Sequence, residues 1–176
     1  MCEKYRYEEQ HCRRVAALAR QLFDLLAPVH GMGDDAARLL RHAALLHDIG
    51  HFISYRGHHK HSEYLIRTDA TLAGYPDAER ELVAWLARSH RRRVIPPPAG
   101  RGRPALQLAA LLRLADGMDH DRPATLELMD AEVSQSKLRL TVQGLDQEAL
   151  QDVLRDKARL MRPAFGRKVL WQSSGP

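Results

Sequence analysis

The sequence predicts a mainly α-helical bundle that carries a small C-terminal α+β appendage of β-β-α-β order. Two observations predict it. Up to about Asp121, apolar residues recur at helical steps, as at Val15, Leu18 and Leu22. After Pro123 the period falls to two, with Leu138, Leu140 and Val142 alternating with Lys137, Arg139 and Thr141. The expected units are a helical domain over residues 1–123 and an appendage over 124–176 packed on it. A chain of 176 residues is long enough to bury one sizeable core.

The elements follow in chain order. Tyr7 to about Leu26 reads as an amphipathic helix that stops near Pro28 and Gly31-Met32-Gly33. Asp34 or Asp35 caps a second helix, which runs through Ala43-Ala44-Leu45-Leu46 to His47-Asp48, with Gly50 as its stop. Residues 51–60 read as a loop rich in histidine and basic groups. A third helix starts near His61 and ends before Gly74-Tyr75-Pro76. Asp77 caps a fourth, ending near His90. Pro96-Pro97-Pro98 and Gly100-Arg101-Gly102 mark a stiff and then flexible connection, and Pro104 opens the helix that carries Asp116. Beyond it, Leu126 and Leu128 lead a strand to Val133, and Ser134-Gln135-Ser136 turns into the strand of Leu138 to Val142. Asp146 opens a helix with a Leu150, Val153, Leu154 and Met161 stripe, closed by Gly166, and Lys168-Val169-Leu170-Trp171 forms a last strand.

Composition narrows the function. Lys and Arg number 27 against 22 Asp and Glu, a net charge of +5. That excess suits an anionic small-molecule partner without implying nucleic acid, and no zinc-finger, RNA-recognition or basic-zipper pattern accompanies it. Specific nucleic-acid binding is therefore disfavoured. Arg91-Arg92-Arg93 is the densest basic run; it reads equally as a solvated helix end or as a phosphate-steering group. No apolar stretch reaches the roughly 18 residues of a membrane span, and no apolar signal segment follows Met1. Cys2 and Cys12 alone make no disulfide framework, which points to a reducing, cytoplasmic compartment.

The chemistry begins at His47-Asp48. Adjacent side chains on a helix diverge by about 100°, yet they can meet at one ion where a helix is ending. Other ligand types lie on apolar stripes: His11 with Val15, His47 with Ala44 and Leu40, His61 with Leu65, His90 with Leu86, and Asp116 with Leu112. Each points toward a core, where an unpaired polar group is costly. A single histidine of this kind is as readily a hydrogen-bonded core residue. The set together suits a metal centre that activates water. Imidazole and carboxylate donors favour one or two divalent ions, with iron, manganese or magnesium ahead of zinc, cobalt or nickel.

The order His11, His47-Asp48, Asp116 resembles the HD-domain superfamily of metal-dependent phosphohydrolases. The segments Ala43 to Gly50, Gly57 to Ile66, Leu111 to Asp119 and Phe165-Gly166-Arg167 resemble the C-terminal region of the exopolyphosphatase/guanosine-pentaphosphate phosphatase (Ppx/GppA) family, from about Glu8 to about Leu170. The resemblance implies an HD-domain bundle. It also implies a first metal site of His11, His47, Asp48 and Asp116, with Asp48 bridging to a second metal held by His61 and His90. The ATPase-like phosphatase domains that precede this region in that family are absent from the sequence, so catalysis assigned to them does not carry over.

The implied activity is hydrolysis of a phosphoester or phosphoanhydride, of a nucleotide, polyphosphate or related compound, by a metal-activated hydroxide. Asp48 anchors that chemistry, and His51 is placed to donate to phosphate or protonate the leaving oxygen. Lys60, Arg56, His58, His59 and Arg91 are the candidate substrate contacts; His58 and His59 also read as ligand or ligand-supporting groups. The alternative is a non-catalytic, phosphate-binding regulatory module.

Overall fold

The structure is a computed structural model that describes residues 1–5, 8–91, 95–119, 127–144, 148 and 155–174. The bundle comprises α1 (Glu9–Leu25), α2 (Ala27–His30), α3 (Asp34–Leu46), α4 (His58–Thr68), α5 (Asp77–Ser89) and α6 (Gly102–Asp119), with a 3-10 turn at Ile49–Phe52. The C-terminal part holds β1 (Glu127–Val133), β2 (Lys137–Gln143), α7 (Met161–Phe165) and β3 (Lys168–Ser173). The fold is thus mainly α with a small C-terminal sheet, as the two periodicities predict.

Helix α6 explains why the bundle forms around it. Its sequence is apolar on almost every side, and from Leu108 to Asp119 every residue is buried. A helix of this kind belongs inside a protein rather than on its surface. Helices α1, α3 and α5 pack around it: α1 buries Val15, Leu18 and Leu22 on one stripe, α3 buries Leu40 and Ala43, and α5 is buried on all sides from Leu82 to Ala87.

In the sheet, β1 and β2 run antiparallel and β2 and β3 parallel, in the order β1-β2-β3. Leu138, Leu140 and Val142 are fully buried while Lys137 and Arg139 are exposed, the alternation expected of a strand with one covered face. The parallel pairing needs a crossover between β2 and β3, and α7 lies on it. Helix α7 packs on α6, and β1 packs on α1.

Several boundaries differ from the sequence reading. Gly33 and Pro76 are the N-cap residues of α3 and α5, so Asp34, Asp35 and Asp77 sit in first turns, where they meet the helix dipole instead of capping. Helix α1 ends at Leu25, as the reading to about Leu26 expects, but a short further helix follows: Pro28 fits the first turn of α2, which Gly31 closes with a left-handed φ of 62°. Pro104 is the third residue of α6, not the first. Residues 51–60 are only partly loop: Gly57, at φ 80°, turns the chain so that α4 starts at His58. Tyr7, Arg92, Arg93, Leu126, Asp146, Leu150, Val153, Leu154 and the boundary at Pro123 lie outside the described residues. Among those described, no helix is long and apolar enough to cross a membrane.

Candidate functional site

The ends of α3, α4 and α5 converge on the N-terminal turns of α1 and the C-terminal turns of α6. Helix α3 stops at Leu46, so His47 is its C-cap and Asp48 has already left the helix, at φ −110°, ψ 5°. That break brings the neighbouring side chains together, with His47 Nε2 3.5 Å from Asp48 Oδ2. Gly50 is not the helix stop. It sits where the 3-10 turn crosses α4, so closely that a Cβ there would lie 2.1 Å from the His58 carbonyl oxygen and 2.4 Å from the Ser62 nitrogen.

Two groups of donor atoms share Asp48. On one side, Asp48 Oδ2 lies 3.7 Å from His11 Nε2 and 3.5 Å from His47 Nε2, and Asp116 Oδ1 lies 3.7 Å from each of those nitrogens. On the other, Asp48 Oδ1 lies 3.3 Å from His58 Nε2 and 3.5 Å from His90 Nε2. Such edges fit donor atoms that each stand about 2.0–2.2 Å from a shared cation.

The ring tautomers follow from the acceptors behind them. The Nδ1 atoms of His47, His58 and His90 stand 2.7, 3.0 and 2.6 Å from the carbonyl oxygens of Ala44, Tyr55 and Ala87. His11 Nδ1 stands 2.6 Å from Asp119 Oδ2. A carbonyl or carboxylate oxygen can only accept, so each Nδ1 carries the hydrogen and each neutral ring turns a bare Nε2 inward. Where the rings are neutral, lone pair faces lone pair: His58 Nε2 is 3.1 Å from His90 Nε2, and His11 Nε2 is 3.3 Å from His47 Nε2. Asp48 Oδ1 is buried without a hydrogen-bond partner. Facing lone pairs and an orphaned carboxylate oxygen are unfavourable on their own. A cation satisfies all of them, so the donor set fits a metal.

Electrostatics agree. Burial disfavours charge on His47, yet Asp48 and Asp116 outweigh it and raise its pKa well above the ordinary value. Burial first, and the charge on His47 second, push His90 down to about 3. His58 is likewise lowered, chiefly by burial. Burial would raise the carboxyls of Asp48 and Asp116, but the surrounding imidazoles hold both low, helped at Asp116 by Lys157. These shifts describe the cluster without a cation: Asp48 and Asp116 stay ionised, and His47 is favoured to carry a second proton, on Nε2, which a bound metal would displace.

A cavity of about 340 Å³ opens onto this cluster, lined in part by His11, Arg14, Asp48, His51, Tyr55, His58, His90, Arg91 and Asp116. Of the residues expected to touch substrate, the structure brings Arg91 and His58 to the cavity. His51 also lines it, with Nε2 3.5 Å from Asp48 Oδ2 and its ring stacked at 4.1 Å on His58. Lys60 and Arg56 are exposed and do not line it, because α4 and the loop before it turn them to solvent. His59 stands behind, edge-on to His58 and His90 at 5.8 and 6.3 Å.

The position expected for His61 is taken by His58. His61 falls in neither donor group, and its Cβ lies on the side of α4 that abuts Gly50. The reason is the earlier start of α4, which swings its first residue toward Asp48. Sequence reasoning missed three further groups: Asp119, which holds His11; Arg14, whose Nε and Nη2 lie 2.5 and 3.1 Å from Asp119; and Lys157, paired with Asp116 Oδ2. Arg14 follows His11, and Asp119 follows Asp116, by three residues on the same helix face, a signal available in the sequence. Nothing in the spacing marks Lys157.

Comparison with known proteins bears on the whole chain. The family described as Ppx/GppA phosphatase, domain III, matches residues 1–160. Among similar proteins, the guanosine-5'-triphosphate,3'-diphosphate pyrophosphatase of Vibrio vulnificus is 30% identical over 154 residues, covering 84% of this chain and 31% of that protein. The Vibrio cholerae protein of that name is 30% identical over 146 residues, covering 80% and 29%. The Aeromonas hydrophila protein is 31% identical over 121 residues, covering 65% and 24%. The chain therefore spans about a quarter to a third of the length of these curated relatives. With the match running from residue 1 to residue 160 of 176, the chain belongs to the Ppx/GppA phosphatase family, in the region of its domain III.

Proposed function

We propose that this protein is a metal-dependent phosphohydrolase of the HD-domain type, cleaving a phosphoester or phosphoanhydride in a nucleotide, polyphosphate or related anion. One observation carries the reading. The inward-facing Nε2 atoms of His11, His47, His58 and His90 converge on the two oxygens of Asp48, beside a cavity lined in part by arginines. The relatives named as pyrophosphatases support the substrate class. A reducing, cytoplasmic compartment completes the reading, in keeping with the free thiols of Cys2 and Cys12.

His11, His47, Asp48 and Asp116 would hold one divalent ion, and Asp48, His58 and His90 a second. Bound there, such ions supply a water pKa lowered to about 7 and neutralisation of phosphoryl charge. The protein's own groups do the rest. Arg91 and Arg14 line the cavity where phosphate oxygens need cations. His51, on the cavity wall, is placed to pass a proton from Nε2 to the leaving oxygen. Asp119 keeps the hydrogen of His11 on Nδ1.

The test is elemental analysis of protein purified without chelator, joined to phosphate release from p-nitrophenyl phosphate, pyrophosphate, tripolyphosphate and nucleotides with Mn²⁺. Asp48→Ala should lose both metal and turnover. Arg91→Ala should raise KM by about tenfold, as loss of a charged hydrogen bond implies, whereas Lys60→Ala should leave KM unchanged. A metal-loaded protein that releases phosphate from no substrate would instead identify a binding module.

A further inference from the structure

Asp116 has two oxygens with different neighbours. Oδ1 faces His11 Nε2 and His47 Nε2, 3.7 Å from each, whereas Oδ2 is paired with the ammonium of Lys157. Lys157 comes from the C-terminal part of the chain and not from the bundle. Its side chain is 18% exposed, and it does not line the cavity beside the cluster. It therefore stands behind Asp116, on the side away from any substrate.

A second observation shows that the bundle makes room for this lysine. Gly117 lies inside α6, where glycine is disfavoured relative to alanine. A Cβ at Gly117 would stand 2.6 Å from Lys157 Cγ and 2.9 Å from Lys157 Cβ. The missing side chain is the path by which the lysine stem crosses α6 to reach Asp116. Asp116 and Gly117 thus form one device: a carboxylate to be held, and a gap for the group that holds it.

We propose that Lys157 is a positioning residue of the metal centre. Occupying Oδ2, it fixes the Asp116 side chain so that Oδ1 alone is presented with His11 and His47, as outer-shell partners of metal-binding carboxylates do. The C-terminal segment then completes the metal centre in addition to packing on the bundle. This inference rests on the metal-dependent reading above.

The experiment is calorimetric titration of the full chain with Mn²⁺, with circular dichroism and thermal melts in EDTA alongside. Lys157→Met keeps the stem over Gly117 and removes the ammonium. Gly117→Ala leaves the ammonium on the chain but closes its path. Both should weaken binding of one Mn²⁺ by about tenfold or more, within the range for lost outer-shell partners. Binding of the second ion, at His58 and His90, should be unchanged. Lys157→Arg should restore most of the affinity. A lysine serving stability alone would lower the melting midpoint in EDTA and leave Mn²⁺ affinity intact, which overturns the proposal. If Lys157→Met fails to fold, Gly117→Ala decides by the same criterion. An unaltered protein that binds no Mn²⁺ would overturn the metal reading and this inference together; unchanged binding in the folded variants would overturn this inference alone.

Discussion

Replacing Gly50 with alanine tests how the 3-10 turn of Ile49–Phe52 holds Asp48 over α4. The added Cβ would stand 2.1 Å from the His58 carbonyl oxygen, 2.4 Å from the Ser62 nitrogen and 2.8 Å from His61 Cβ. The first two are backbone atoms of a helix, so no rotamer change relieves the contact. The turn must lift away from α4, and the Gly50 N–H bond to Ser62 Oγ, 2.9 Å long, goes with it. Overpacking costs about 1–3 kcal/mol, and the lost buried hydrogen bond about 1 more. The entropic gain of replacing glycine, under about 1 kcal/mol, offsets part of this. A net loss of roughly 1–3 kcal/mol corresponds, for a chain of this length, to a drop in Tm of about 2–12 °C. The same movement carries Asp48 Oδ1 away from His58 Nε2, now at 3.3 Å, so Mn²⁺ affinity should fall too. Thermal melts by circular dichroism and Mn²⁺ titration read the two effects separately. An alanine variant with an unchanged Tm and unchanged metal affinity would refute the packing argument.

Two further outcomes are expected. His58→Ala should lower the metal content of the purified protein, measured by elemental analysis, whereas His61→Ala should not, because only the former ring faces Asp48. Stability should also fall in acid through Asp69, whose carboxylate is held below its usual range by Lys4 first and then by Thr71 and Tyr5. A depressed carboxyl stabilises the fold fully above its unfolded value of about 3.9 and loses that contribution as pH falls through the folded value. Urea unfolding should therefore show Asp69→Asn losing less stability between pH 5 and pH 2 than the unaltered chain; an equal loss would remove Asp69 from the account.

The helices were legible because their stripes are long and regular, and β2 because its alternation is clean. The clustered side chains of His11, His47, Asp48, His90 and Asp116 were legible for the same reason: a polar side chain on an apolar stripe faces the core wherever the helix goes. His58 was legible only as one of several roles, substrate contact or ligand, since it precedes the first clear turn of α4 and shows no stripe of its own. Its placement depends on Gly57 taking a left-handed turn, at φ 80°. Lys60 and Arg56 looked like phosphate contacts by proximity in sequence, but solvent exposure is set by helix phase. Lys157 lies 41 residues from Asp116 along the chain, and no local pattern links them.

The tautomer locks at His47, His58 and His90 place the site's chemistry beyond the reach of most mutation. Each uses the carbonyl three residues earlier, of Ala44, Tyr55 or Ala87, and no substitution of those side chains deletes a main-chain oxygen. What would turn it away is a change of backbone path: a rotated peptide plane where α3 or α5 ends would swing the carbonyl off the ring. The heritable weak points are therefore the residues that terminate α3 and α5, along with Asp119, whose carboxylate is the only one of the four acceptors encoded by a side chain. At Ala44 and Ala87, both fully buried, packing and not the ring bond limits substitution, whereas a change at Asp119 removes the bond itself.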